Sequence, residues 1–440
     1  MDDSKKIGFW TCTALVVGNT IGMGIFLLPA SLAPFGFNAL VGWVVVVLGC
    51  VALARVYSHL AREMPAAEGP YGYMRETLGE LPAYVAYWCY WVSCWIVNAA
   101  LATGVVGYMT VAFPATAALN PSVFALSLLW LFVGVNLMGA RSGGAVQIVT
   151  TVLKLVPMLA VAAIGVWVLL TSPSDYVAQL PSAPITLQGT IAASTIALFA
   201  MLGIESATVP AAKVRNPGIN VPRATMVGTL LVAMIYLTVS TVSILLLPER
   251  ELGASSAPFA LLMERFGGNT SGRWLALFVV VSGLGALNGW TLLTGEMTRT
   301  MASNGVLPTF LARQNKAGAP FMALLTTGLL ASVMIYMSYD KSLVDGFTYL
   351  STVVTAANLP LYLLCAMALI VVWRRLGTRA KAEMWVMSLL SIAFVVWAFI
   401  GMGHEPFVMA LGLAAAGLPV YWFMRKWLPW YRRSKAAGVT

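Results

Sequence analysis

Leu15-Val16-Val17-Gly18-Asn19-Thr20-Ile21-Gly22-Met23-Gly24-Ile25-Phe26-Leu27-Leu28-Pro29 is an apolar run interrupted by three glycines, an Asn and a Thr. Each Gly costs about 1 kcal/mol relative to Ala in a helix interior. An unwound backbone in hydrocarbon is tolerated only where it lines a cavity or is covered by protein. The run therefore reads as a helix broken at mid-depth, the alternative being close helix packing through small residues. A second oddity is Ala197-Leu198-Phe199-Ala200-Met201-Leu202-Gly203-Ile204-Glu205-Ser206-Ala207, where a carboxylate closely follows a glycine in an apolar run. The two interruptions fall at the first span of each of two five-span halves. Inverted-repeat transporters show that spacing, because half-helix N-termini and freed carbonyls bind the charged ends of a zwitterion.

The rest of the chain agrees with a membrane reading. Of 440 residues, 60% are hydrophobic and 10% charged, against roughly 25% charged in a soluble domain. At about 20 apolar residues per crossing there is room for about twelve spans. Apolar runs between charges and turn residues lie near 8–33, 38–61, 82–113, 123–140, 146–171, 189–211, 223–247, 273–298, 320–338, 346–373, 384–402 and 405–424. With a cytoplasmic N-terminus, 20 of the 26 Lys and Arg fall on the inner side, and only Arg250, Arg265, Arg273 and Lys341 fall outside. Positive-inside asymmetry then puts both termini in the cytoplasm of an inner-membrane protein. The net charge of +10 is read as this topology signal rather than as a nucleic-acid footprint. The basic tail with Arg432, Arg433 and Lys435 at most touches anionic lipid. The first apolar run is too long for a signal peptide and lacks a small-residue cleavage site. Cys12, Cys50, Cys89, Cys94 and Cys365 read as small hydrophobes. His59 and His404 lie too far apart in sequence for a His-based metal site, and no cofactor is expected. No Ser/His/Asp order, H-E-x-x-H or phosphate loop supports a membrane enzyme, and no filter or ring of charges supports a channel.

Several stretches together resemble the amino acid-polyamine-organocation (APC) superfamily. Gly22-Met23-Gly24-Ile25-Phe26 is similar to its G-S/x-G-I/V-F unwound segment. Ala67-Glu68-Gly69-Pro70-Tyr71-Gly72-Tyr73 is similar to its G-G-x-Y-x-Y loop after span two. Lys213-Val214-Arg215-Asn216-Pro217-Gly218-Ile219-Asn220-Val221-Pro222-Arg223-Ala224-Thr225 resembles the K-N-P-x-x-N-V-P-x-A-T loop after span six. Asn304-Gly305-Val306-Leu307-Pro308 and Asn315-Lys316-Ala317-Gly318-Ala319-Pro320 look like the loop after span eight. The ordered set runs from about residue 8 to 365 and is specific where each member alone is weak. The basic amino acid/polyamine antiporter branch, with its arginine/agmatine and putrescine/ornithine exchangers, is the best look-alike. The resemblance implies an all-α polytopic membrane protein of 12 transmembrane helices. They would form a five-plus-five inverted repeat (LeuT-like) with broken helices 1 and 6: residues 1–171, then 172–373, then two extra helices and the tail in 374–440. It allows a homodimer, as related exchangers are often dimers.

Residue by residue, the resemblance assigns Thr20, Met23 and Gly24 to the substrate carboxylate, with Met23 in place of the usual Ser. Leu202 and Gly203 match the unwound part of span six, whose carbonyls would accept the α-ammonium. Tyr90, Trp95 and Asn98 fall on matched positions of span three, and Trp290 on a side-chain-pocket Trp. Phe199 stands where arginine/agmatine exchangers carry a Trp that caps the guanidinium, and Phe is the weaker cation–π partner. Glu205 matches a carboxylate tied to proton-sensitive gating, and Lys154 a span-five lysine of sodium-independent relatives. From the residues themselves, Glu205 is functional or a hydrogen-bonded structural acid, since an ionised carboxylate at that depth costs several kcal/mol unless paired or wet. Lys154 is either a proton relay or a fixed brace between spans one and eight. Glu296 and Arg299 read as a local pair and Arg55 as a snorkelling cation. Glu249 and Glu251 read as solvated, and Trp10, Trp43 and Trp427 as interfacial anchors. The expectation is an amino acid transporter working by alternating access, an exchanger or proton-coupled permease for cationic amino acids or polyamines. A neutral, L-type-like exchanger and a transporter-fold nutrient sensor are the alternatives.

Overall fold

The computed structural model describes residues 8–65, 67, 69–139, 143–178, 180–181, 183–207, 214–268, 270–377 and 381–436. Glu68, Arg141, Lys213 and the side chains of Trp427, Arg432, Arg433 and Lys435 lie outside that description. The described chain is almost entirely helical. In order the helices are α1 (Phe9–Thr20), α2 (Gly24–Leu32), α3 (Phe37–Glu63), α4 (Gly69–Leu78), α5 (Glu80–Ala112) and α6 (Pro121–Leu137). Next come α7 (Gly143–Thr171), α8 (Ser174–Ala178), α9 (Leu187–Leu198), α10 (Pro217–Leu246), α11 (Glu249–Ala254) and α12 (Pro258–Gly267). The last are α13 (Ser271–Ser303), α14 (Phe321–Met337), α15 (Leu343–Leu376), α16 (Ala382–Gly401), α17 (His404–Ala415) and α18 (Gly417–Ala436). Among the described residues eight helices are long and apolar enough to cross a bilayer. To these α1 and α2 add a pair bent by 44°, and α6, α9 and α14 are shorter apolar helices.

Local chemistry sets the ends. Asn120 caps α6 by accepting from the N–H groups of Ser122 and Val123 at 3.0 and 3.2 Å, with Pro121 at the first helical position, where no N–H is needed. Thr186 caps α9 through Gly189 N–H at 3.0 Å. At α15, Ser342 accepts from Asp345 N–H at 3.1 Å and donates to its carboxylate at 2.7 Å, so an orphan donor of the first turn is satisfied.

The long helices α5, α13 and α15 form the centre, and α3, α9, α10 and α16 pack beside them. Small residues permit the closest approaches. A Cβ on Gly42 of α3 would lie 2.9 Å from the backbone N of Ser194 in α9, and one on Gly49 would fall on the Phe394 ring of α16. One expectation is corrected here: Trp43 is no interfacial anchor. It is fully buried and meets the Tyr236 ring edge-on at 5.9 Å, because the face of α3 that carries it is the face packed on α10. Trp10, by contrast, is 77% exposed. Arg55 does not snorkel alone but sits 3.6 Å from Glu383, and Glu251 pairs with Arg265 at 3.4 Å. The Glu296–Arg299 pair is present at 2.8 Å, and all five cysteines are buried and free.

Candidate functional site

The two sequence interruptions meet. Helix α1 stops at Thr20, Ile21 is extended with ψ 92°, and α2 starts at Gly24. Helix α9 stops at Leu198 and tightens into a 3₁₀ turn at Phe199–Met201. Leu202 is then extended, Gly203 takes φ +102°, and a second 3₁₀ turn runs over Ile204–Ala207. A Cβ on Gly203 would lie 3.3 Å from the Asn19 carbonyl oxygen, and one on Gly24 would lie 3.0 Å from the Phe199 ring. Glycine is required at Gly203 twice over, for its positive φ and for this backbone-to-backbone approach. Three helix ends therefore converge, α1 and α9 bringing carbonyls and α2 bringing N–H groups.

Two buried side chains tie down the freed carbonyls of α1. Lys154 of α7 donates to Gly18 O at 3.1 Å, and the Tyr236 hydroxyl of α10 donates to Thr20 O at 3.1 Å. The Lys154 ammonium thus sits where the negative end of a helix dipole favours a cation.

A narrow cavity lies between the breaks; its lining includes Thr20, Met23, Gly24, Tyr90, Phe199, Leu202, Glu205 and Trp290. With Gly203, which also lines it, nine of the twelve residues singled out from the sequence share one chamber. Asn98 and Lys154 stand off it. Asn98 bridges α5 and α13, donating to Thr294 Oγ1 at 3.2 Å and accepting from Thr291 Oγ1 at 3.2 Å. Trp95 is buried against Trp91 and is also absent from the lining. Met23 is fully buried in a seat left by two glycines, since a Cβ on Gly104 would lie 3.4 Å from its Cβ and one on Gly283 would lie 2.6 Å from its sulfur.

Glu205 is 1% exposed and accepts from the Tyr362 hydroxyl at 2.9 Å, with the Tyr90 hydroxyl as a second partner. Tyr57 meets the Tyr362 ring edge-on at 6.1 Å. On the other side of the cavity Phe199 packs edge-on against Phe347 at 5.7 Å, and Ser31 of α2 shares a 2.7 Å hydrogen bond with Thr348 of α15.

Asn358 on α15 was missed by the sequence reading. It lines the cavity, is 3% exposed, and its Oδ1 has no hydrogen-bond partner. Thr20 Oγ1 is likewise buried and unpartnered. They are two of eleven such atoms among the described residues, and these two share the cavity lining. The available signal was a lone carboxamide in the apolar stretch Val353-Val354-Thr355-Ala356-Ala357-Asn358-Leu359. Tyr236 and Tyr362 carried no comparable signal, since tyrosines are plentiful in this chain.

A model of the amino acid permease family matches residues 7–425. The cadaverine/lysine antiporter of Escherichia coli (strain K12) is 32% identical over 345 residues, covering 78% of this chain and 77% of the relative. A protein of Bacillus subtilis (strain 168), provisionally named as an arginine/ornithine antiporter, is 30% identical over 96% of this chain and 98% of its own length. The putrescine transporter PotE of Escherichia coli (strain K12) is 30% identical over 84% of each chain. The chain belongs to the amino acid permease family.

Proposed function

We propose that this member of the amino acid permease family is an inner-membrane exchanger of cationic amino acids and polyamines that works by alternating access. The observation that carries the reading is the meeting of two helix breaks around a cavity lined by Glu205. The N–H groups at the start of α2 and the Thr20 hydroxyl bind the α-carboxylate of an amino acid substrate. The carbonyls around Leu202 and Gly203 accept its α-ammonium, and the side chain points toward Trp290 and Tyr90. Phe199, with Phe347 behind it, is the lid, and Glu205 with Tyr90 and Tyr362 couples the lid to protonation. The eight long helices, the bent pair and the three shorter apolar helices make twelve spans in a five-plus-five inverted repeat, with both termini in the cytoplasm. Exchange is sodium-independent, because the Lys154 ammonium occupies the carbonyl at the end of α1 that a cation would seek. The chamber is complete within one chain, so transport does not need the homodimer that the family resemblance allows.

The direct test is counterflow in proteoliposomes. Vesicles loaded with lysine or cadaverine are expected to accumulate labelled lysine, and empty vesicles are not, with equal rates in sodium and potassium buffers. Binding without counterflow would replace the exchanger by a nutrient sensor. A second reading, exchange of neutral amino acids, draws on the apolar Met23 and Phe199. Excess alanine abolishing lysine counterflow would favour it.

A further inference from the structure

Away from the chamber, helices α4 and α18 bring the same local arrangement to one cleft. On α4 the Arg75 guanidinium lies 5.7 Å from the centre of the Tyr71 ring. On α18 the Arg425 guanidinium lies 6.0 Å from the Tyr421 ring and donates to its hydroxyl at 3.3 Å. The spacing is i,i+4 in both, so each ring supports its own cation. Glu80 and Tyr84 of α5 also line the cleft. Tyr84 packs on Tyr421 at 4.8 Å and donates to Gly417 O at 3.2 Å, which fastens α18 to α5. Among the described residues neither guanidinium has a carboxylate within 4.0 Å, and Glu80 has no cation within that distance. Arg75 and Arg425 both belong to the charges that positive-inside asymmetry places on the cytoplasmic side. The edge of the cleft borders lipid. Only 22% of the apolar window of His404–Lys426 is buried, and Trp422 and Phe423, next to Tyr421, are 63% and 56% exposed.

We infer that this cleft holds the headgroup of a phospholipid of the cytoplasmic leaflet, and that the headgroup is zwitterionic, of the phosphoethanolamine class. Arg75 and Arg425 bind the phosphodiester, Glu80 accepts from the primary ammonium, and the acyl chains lie along Trp422 and Phe423. A guanidinium resting on a ring face keeps its planar N–H fork for phosphate oxygens. Glu80 stands in the first turn of α5, where the helix dipole favours a negative charge. The faces of the tyrosine rings attract an ammonium in addition. A phosphatidylglycerol headgroup serves the arginines but brings no cation to Glu80. Free phosphate has the same defect and makes no use of the apolar border. Nothing in this assignment depends on which substrate crosses the chamber.

Native mass spectrometry of the delipidated full-length chain, titrated with single lipids in mixed micelles, reads the site directly. Phosphatidylethanolamine is expected to bind at least tenfold more tightly than phosphatidylglycerol. Its N-acetylated form, which has lost the ammonium, should fall to the phosphatidylglycerol level, and this comparison needs no variant. Glu80→Gln is expected to remove the preference for phosphatidylethanolamine, and Arg75→Gln with Arg425→Gln to weaken both lipids at least tenfold. Arg313→Gln, on an exposed cytoplasmic loop outside the cleft, should change neither. Equal affinity of the unaltered chain for phosphatidylethanolamine and its N-acetylated form overturns the role of Glu80 and the headgroup class. An effect of Arg313→Gln as large as that of the double variant overturns the site and leaves a diffuse basic surface. Glycerophosphoethanolamine or inorganic phosphate displacing the lipid at equal concentration overturns the lipid source in favour of a soluble phosphate. Each of these outcomes leaves counterflow, and with it the exchanger reading, untouched.

Discussion

At the scale of single residues, the buried charges are most informative because each must be justified by a partner. Glu205 accepts from the Tyr362 hydroxyl of α15 at 2.9 Å, so a movement of α15 changes the donors on it. On the proposed reading, that contact ties its protonation to the shape of the chamber without any distant relay. Lys154 is 3% exposed and its ammonium meets the Gly18 carbonyl at 3.1 Å. The sequence left relay and brace open for it, and the contact joins it to span one through a backbone atom. Two terms compete in Lys154→Met. Removing the ammonium relieves its desolvation, but it also strips the donor from a buried carbonyl and the cation from the negative end of α1. The second pair wins here, because an unsatisfied buried carbonyl costs about 1–3 kcal/mol and a cation at a helix C-terminus contributes up to about 2 kcal/mol. Lys154→Met is therefore expected to lower the unfolding free energy in detergent by about 1–3 kcal/mol. Unfolding free energy unchanged or raised, together with an altered proton dependence of exchange, would make Lys154 a relay instead.

At the scale of elements, the interruption of α1 was legible and that of α9 only partly so. Gly18, Gly22 and Gly24 announce a weak helix, and the break falls at Ile21–Met23 between them. In the second case the reading centred on Gly203 and Glu205, yet regular helix already ends at Leu198. The residues between are Phe199, Ala200, Met201 and Leu202, all compatible with helix, so tertiary packing against α2 rather than local propensity opens the turn there. Helices α4, α11 and α12 went unread because a search for long apolar runs passes over short segments that begin at Gly69, Glu249 and Pro258. The face each span buries was also hidden. A membrane helix is apolar on its lipid side and its protein side alike, so Trp43, Tyr236 and Asn358 could not be placed by pattern. What the pattern cannot supply, Gly203 tests directly. Gly203→Ala forces a side chain into φ +102° and to 3.3 Å from Asn19 O. A backbone strain of this kind costs on the order of 1–3 kcal/mol. The variant is expected to fold with reduced stability and to lose lysine-induced thermal stabilisation; retained ligand stabilisation would mean that the two breaks need not touch.

At the scale of the whole molecule, function depends on which end of the chamber faces which compartment. Phe199, whose ring abuts Gly24 at the start of α2, leans on Phe347 next to Thr348, and the Ser31–Thr348 bond lies at the C-terminal end of α2. With the N-terminus in the cytoplasm that end is periplasmic, and Tyr108 reinforces it by donating to Phe26 O at 2.7 Å while accepting from Phe259 N–H at 3.3 Å. Helices α11 and α12 then form an outer cover over α2. The inward assignment rests on charge, and charge bias is a statistical force on insertion, so sidedness is worth fixing by labelling. The five native cysteines are all buried, which leaves a quiet background for single added ones. Thr270 and Gln314 are exposed and flank α13 (Ser271–Ser303), which is long enough to separate them by a bilayer. Thr270→Cys is expected to react with a membrane-impermeant maleimide on spheroplasts, and Gln314→Cys only after the membrane is opened. The reverse pattern would turn the molecule over and make the Phe199 lid a cytoplasmic gate. Labelling of both positions without permeabilisation would remove α13 from the spans.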